Sequence, residues 1–100
     1  MTRLFVFIPG LPDYILLCDD TDFVPRKGDR MHIDMDSLGC IRSRRLLRDT
    51  PACHCFERNA VTEKQSLGEF LNECVITVSE RTWSYGKQHT FCVLDVEVVW

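Results

Sequence analysis

Cys74-Val75-Ile76-Thr77-Val78-Ser79-Glu80 and Phe91-Cys92-Val93-Leu94-Asp95-Val96-Glu97-Val98-Val99-Trp100, on either side of a stretch centred on Tyr85-Gly86-Lys87, decide the fold class. Each run alternates apolar with polar side chains, the period of a strand with one face on a core and the other in water. The glycine between them marks a turn, so the chain closes in a long β-hairpin. The apolar faces limit its register. Cys74, Ile76 and Val78 on one strand must share a side of the sheet with Leu94, Val96, Val98 and Trp100 on the other. Pairing Ile76 with Val96 and Val78 with Leu94 meets that condition. It requires an odd loop, Tyr85-Gly86-Lys87 or Ser84 to Gln88, and sets Trp83 opposite His89 and Arg81 opposite Phe91.

Upstream, Arg3 to Ile8 and Tyr14 to Cys18 are short, almost wholly apolar runs closed by Pro9-Gly10 and by Asp19-Asp20-Thr21-Asp22. They read as a strand pair joined by Pro9 to Asp13. Apolar on both faces, the pair should be covered on both sides, by the rest of a barrel or by a neighbouring subunit. The acidic turn lacks the spacing of a calcium loop, and aspartates bond their own backbone in turns. Arg30 to Asp36 alternates again, with Met31, Ile33 and Met35 toward the core and His32, Asp34 and Asp36 toward water. A solvated strand face accounts for the latter three without a bound ion.

The loop Phe23-Val24-Pro25-Arg26-Lys27-Gly28-Asp29-Arg30 resembles the segment that delivers the chain into a strand in SH3-like barrels, where Pro fixes the approach and Gly supplies a tight turn. The resemblance implies a small barrel plan and carries no activity with it. Further along, Ser66-Leu67-Gly68-Glu69 has the spacing of a helix capping box. Leu67, Phe70, Leu71 and Cys74 follow at i, i+3, i+4 and i+7, which predicts a short helix over 62–72. Residues 37–61 read as an irregular insertion in which a strand and a short helix are both compatible with the pattern.

The whole chain, 1–100, is therefore expected to be one mainly β domain, a β-dominated α+β fold. Its plan is a small SH3-like barrel of about five strands with a short helix before the C-terminal hairpin. The strands fall near 3–8, 14–18, 30–36, 73–83 and 89–99, and the expected core comprises Phe5, Phe7, Leu16, Met31, Ile33, Ile76, Val78, Leu94 and Val96. One modest core leaves little room for a deep enclosed active site.

Twelve Lys+Arg against fifteen Asp+Glu give a formal net charge of -3, too balanced to point to a polyanion from overall electrostatics. The N-terminal apolar run ends at Pro9-Gly10 with no cleavage site after it, and no run is long enough for a membrane span. A cytoplasmic protein with no membrane partner is expected. Its six cysteines then read as reduced thiols, several of them in strand patterns as small hydrophobes.

No nucleotide fingerprint, phosphate loop or family signature of a nucleophile is present, so no catalytic residue and no cofactor are assigned. Cys53-His54-Cys55 with Cys40 upstream offers thiolate and imidazole donors for a zinc-binding structural module, although the second knuckle of common zinc sites is missing. Arg42, Arg44, Arg45 and Arg48 form a basic cluster that could contact phosphates, and Trp83 and Tyr85 near the hairpin tip could stack bases. The leading expectation is a non-catalytic interaction or accessory domain, bound to a protein partner or to its own copy through the N-terminal strands or the C-terminal strand edge. Nucleic-acid binding is the alternative.

Overall fold

The computed structural model describes residues 2–99. Five strands form one curled, half-closed sheet: β1 (Thr2–Phe7), β2 (Ile15–Cys18), β3 (Arg30–Met31), β4 (Val75–Tyr85) and β5 (Thr90–Val99). Their order is β2-β1-β5-β4-β3, so β2 and β3 are the edges. Three helices lie between β3 and β4: α1 (Ile41–Asp49), α2 (Ala52–Cys55) and α3 (Leu67–Asn72). The mainly β class, the single closing hairpin and the helix before it match the sequence reading. The central pairing of β1 with β5 is parallel, with Thr2 beside Thr90 and Phe7 beside Asp95.

The hairpin register differs from expectation. Ile76 faces Val98 and Val78 faces Val96; beyond them Glu80 faces Asp95, Arg81 faces Leu94 and Trp83 faces Cys92. A bulge at Ser79 inserts one residue, so the side of the sheet that carries even-numbered residues before it carries odd-numbered ones after it. The parity argument holds on each side of the bulge and fails across it. As a result Arg81, Trp83 and Tyr85 share a side with Leu94 and Cys92.

The third strand is also shorter than 30–36. Asp34 Oδ1 accepts from the Asp36 amide at 3.1 Å and its Oδ2 from the Ser37 hydroxyl at 2.6 Å, while Asn72 Oδ1 accepts from the Met35 amide at 2.7 Å. These side-chain bonds wind Met35–Ser37 into a 3-10 turn and override the alternating pattern. Gly28 (φ 91) turns the chain into β3 as expected of the loop, and its amide donates to Val78 O at 2.8 Å.

α3 starts where its capping box sits. Ser66 Oγ accepts from the Glu69 amide at 3.2 Å, and Leu67, Phe70, Leu71 and Cys74 are buried as their spacing required. The helix does not reach back to residue 62, because Asn59 Oδ1 accepts from the amides of Val61 and Thr62 and holds that stretch as a turn. Within 37–61, α1 ends at Thr50 because Pro51 disfavours a helical conformation for the residue before it.

All three helices and the 3-10 turn pack toward one side of the sheet. The core there joins Leu4, Val6, Ile8, Ile15, Ile76, Val78, Cys92 and Leu94 of the sheet region to Met35, Leu38, Leu47, Ala52, Leu67, Phe70 and Leu71. Of the expected core, Ile76, Val78 and Leu94 are buried, and Met31, Ile33 and Val96 pack at its margin. Phe5, Phe7 and Leu16 do not belong to it. Strand alternation put Leu4, Val6 and Ile8 inward and turned the aromatic set of β1 to the opposite face.

Candidate functional site

That opposite face is the most distinctive surface of the molecule. Arg3, Phe5 and Phe7 of β1 stand beside Phe91, Val93 and Asp95 of β5. Leu16 of β2 flanks Phe5, and Ser84, Thr82 and Glu80 of β4 flank the β5 residues on the other side. Tyr14 completes the patch at the start of β2. Its ring lies 6.2 Å from Phe5 and 6.0 Å from Phe7, and Phe5 lies 6.1 Å from Phe91. His89 continues the row, 6.1 Å from Phe91. These separations are those of favourable aromatic pairs, so the rings hold one another in place.

None of Phe5, Phe7, Tyr14, Leu16, Phe91 or Val93 belongs to the core or packs against it. Tyr14 is 51% exposed; the others are half-buried by mutual contact. Charges frame the patch at its two ends. Arg3 pairs with Asp19 at 2.8 Å at one end. Asp95, Glu97 and Glu80 lie toward the other, where Glu80 meets Lys27 at 3.1 Å. The sequence held one clue to this arrangement: Arg3 has the same parity as Phe5 and Phe7, and an arginine belongs on a solvent face.

The four candidate arginines all lie on α1 and are exposed. Arg42 is engaged by Asp13 at 2.7 Å, and Arg48 lies 3.4 Å from Asp49. Arg44, Arg45 and Arg48 line a groove of about 490 Å³ floored by Leu47 and Gly68, to which Asp36 and Glu69 also contribute. Arg44 and Arg45 have no ion-pair partner among the described residues.

Trp83 and Tyr85 lie on β4, at the far end of the hairpin, and their rings stack at 6.4 Å with 12° between planes. The Arg81 guanidinium sits 5.8 Å from the Trp83 ring centre. α1 packs on α3 and the 3-10 turn, so the arginines and the stacked aromatics are presented by different parts of the fold.

Cys53, His54 and Cys55 form the short α2, while Cys40 precedes α1 as its N-cap. Among the described residues no group of three or more His, Cys, Asp or Glu is placed to hold a metal ion. Cys55 is pressed toward Gly10, whose Cβ, were there one, would stand 3.3 Å from the sulfur. Burial pushes the thiols of Cys55, Cys74 and Cys92 up. Cys40 moves the other way: the Ser43 amide and then the Ser43 hydroxyl, both near its sulfur at the start of α1, hold its pKa down.

No protein family, curated protein or solved structure matches the chain. No helix among the described residues is long and apolar enough to cross a membrane.

Proposed function

We propose that this protein is a non-catalytic interaction domain and that it docks through the open face of its sheet. The observation that carries the reading is the patch of Phe5, Phe7, Tyr14, Leu16, Phe91 and Val93, six apolar side chains assembled from three strands and excluded from the core. Contiguous apolar surface on a soluble domain marks a contact with another molecule. Rigid aromatics on a sheet are well suited to it, because they lose little conformational freedom on binding. The C-terminal strand contributes its face and not its edge, since β1 and β4 flank β5 through Asp95. The likeness of the Phe23 to Arg30 loop to SH3-like barrels is a statement of plan on which this function does not draw.

The test replaces Phe91 and Val93 together by Thr, which keeps strand propensity and removes the apolar surface. Wild-type and variant proteins are compared by native mass spectrometry for self-association and as paired baits for foreign proteins. An association of the wild type that the variant loses supports the reading. It fails if the wild type binds neither itself nor another protein, or if the variant retains everything the wild type holds.

Nucleic-acid binding is the second reading, favoured by the groove that gathers Arg44, Arg45 and Arg48. Replacing all three with Ala should weaken binding to RNA or DNA and flatten its salt dependence. No binding at low salt ends this reading.

A further inference from the structure

We infer that Cys18 and Cys40 form a redox pair: a hydroperoxide oxidises Cys40, and Cys18 resolves it as a disulfide that ties the edge of the sheet to the start of α1. The inference draws nothing from the docking reading.

The fold brings the two thiols to one cavity. Cys18 ends β2, and the irregularity between Leu4 and Phe5 in the β1 to β2 pairing sets it opposite Leu4. Opposed residues share a side of the sheet. Leu4 is a core residue, so Cys18 turns to the helix side and packs at the core margin, while Leu16 stays beside Phe5 on the open face. Cys40 arrives on the helix side as the N-cap of α1. The two segments are joined by the Leu16 amide, which donates to Ser43 Oγ at 3.0 Å. Leu16 lies two strand residues before Cys18, a step of about 7 Å, and Ser43 lies about one helical turn after Cys40. Cys18 and Cys40 accordingly stand in the wall of one cavity of about 410 Å³, with Arg3, Asp19 and Gly39 beside them.

Both sulfurs belong to partly exposed residues, so a small oxidant can reach them. Closing a disulfide needs Cα atoms about 6 Å apart. The chain has room to reach that spacing, because Cys18 ends an edge strand ahead of the Asp19-Asp20 bend. Gly39, with open space where a Cβ would stand, precedes Cys40.

The surroundings assign the roles. The Ser43 amide, then its hydroxyl, and more weakly the Arg42 charge hold the Cys40 pKa down, and the thiolate is the form that attacks. Burial pushes the thiols of Cys55, Cys74 and Cys92 up, and Cys53, on α2, is not in the cavity wall. Cys18 donates its S–H to the Asp20 carbonyl at 3.3 Å and supplies the second sulfur. In the first step the Cys40 thiolate attacks a peroxide oxygen. An S–O bond forms, the O–O bond breaks, and the second oxygen leaves as hydroxide or alkoxide, which takes up the proton that Cys40 released. In the second step Cys18 Sγ attacks the sulfenic sulfur. The S–S bond forms, the S–O bond breaks, and the oxygen leaves as water with the Cys18 proton. The two thiols give up two electrons and the hydroperoxide takes them.

The test treats the reduced full chain, at dilute concentration, with hydrogen peroxide, blocks the remaining thiols and maps the peptides by mass. The expected product is a Cys18-to-Cys40 disulfide within one chain, lighter by two hydrogens, monomeric on a non-reducing gel and reversed by dithiothreitol. Cys40→Ser should abolish it. Cys18→Ser should leave Cys40 as a sulfenic acid that dimedone traps, or as the sulfinic acid beyond it. Thermal melts check that both variants fold, and the wild type in urea gives a second control: there the preference for this pair should be lost. A folded wild type in which Cys40 stays reduced, or is oxidised and never linked to Cys18, overturns the inference. So does a bond that forms only between chains, or one favoured equally in urea.

Discussion

Replacing Ser43 with Ala perturbs two parts of the molecule through one atom. Ser43 is 3% exposed in the first turn of α1. Its hydroxyl oxygen accepts from the Leu16 amide of β2 at 3.0 Å, while the same hydroxyl, near the Cys40 sulfur, helps hold that thiol's pKa down. β2 is an edge strand, so no further strand is available to take the Leu16 amide when the hydroxyl is removed. A net hydrogen bond contributes about 1 kcal/mol, and a half-buried donor left without a partner adds to that, giving a loss of about 1–2 kcal/mol. For a domain of this size the melting temperature should fall by about 5–10 °C. The thiol gives the second readout. The Ser43 amide, the larger cause of the lowered Cys40 pKa, survives the substitution and the hydroxyl does not. Alkylation of Cys40, followed by peptide mass mapping, should therefore shift part of the way toward the pH range of an ordinary cysteine, near 8.5. Buried Cys74 and Cys92, and half-buried Cys55, all with raised pKa, remain slow throughout and serve as controls. Because Cys40 ionises more readily folded than unfolded, its contribution to stability is present above the unfolded pKa and is lost as pH falls through the folded one. The stability gap between wild type and variant should thus widen as pH rises through the lowered folded pKa toward about 8.5 and level off above it. An unchanged melt would show that the hydroxyl does not join α1 to β2. A lower melt with an unchanged alkylation profile would show that it serves Leu16 alone.

Three further substitutions probe the packing. Gly68→Ala adds a Cβ that would stand 3.3 Å from Leu47 Cβ and 3.4 Å from Leu47 O. The overpacking between α3 and buried Leu47 of α1 should exceed the gain in helix propensity, for a net loss of about 1 kcal/mol in urea denaturation; a gain would mean that α1 moves aside without cost. Leu94→Ala, at a fully buried position, should lose about 3 kcal/mol, and Phe5→Ala less than half of that when both are measured at concentrations where the chain is monomeric. Equal losses would place Phe5 in the core and remove the open face.

What the sequence revealed of the fold follows from where its physics is local. Alternation in Val75–Tyr85 and Thr90–Val99 marks both strands, and the Ser66 to Glu69 capping box marks the start of α3, because each signal is confined to neighbouring residues. The bulge at Ser79 has no such signature. A serine in an alternating strand is ordinary, and only the competition between the two halves of the hairpin reveals that one residue is surplus. The loss of strand after Met31 is similar: Asp34 can cap a turn or face water from a strand, and the bond from the Met35 amide to Asn72 comes from a residue on another element. The parallel β1–β5 pair, which joins the two ends of the chain, lies beyond the reach of any local pattern.

The open face was half legible for a reason that bears on function. β1 carries two apolar sets, Leu4, Val6 and Ile8 on one side and Phe5 and Phe7 on the other, and the sequence shows both without saying which is covered. Cover is limited. Helices of nine, four and six residues are available, and the segment between β2 and β3 adds Val24 to the margin of the same core. All of this cover lies on the Leu4 side. A chain with enough helix for one face of a five-stranded sheet, yet with apolar residues on both, leaves the second face open, and the proposed docking would cover it. The bulkier side chains of β1 are on the uncovered side, where mutual contact holds them in place. Folding alone would favour the reverse placement, since burying the bulkier set stabilises the core more. The outward orientation of Phe5, Phe7 and Phe91 is what the proposed docking face requires, and the stability of a single copy does not account for it.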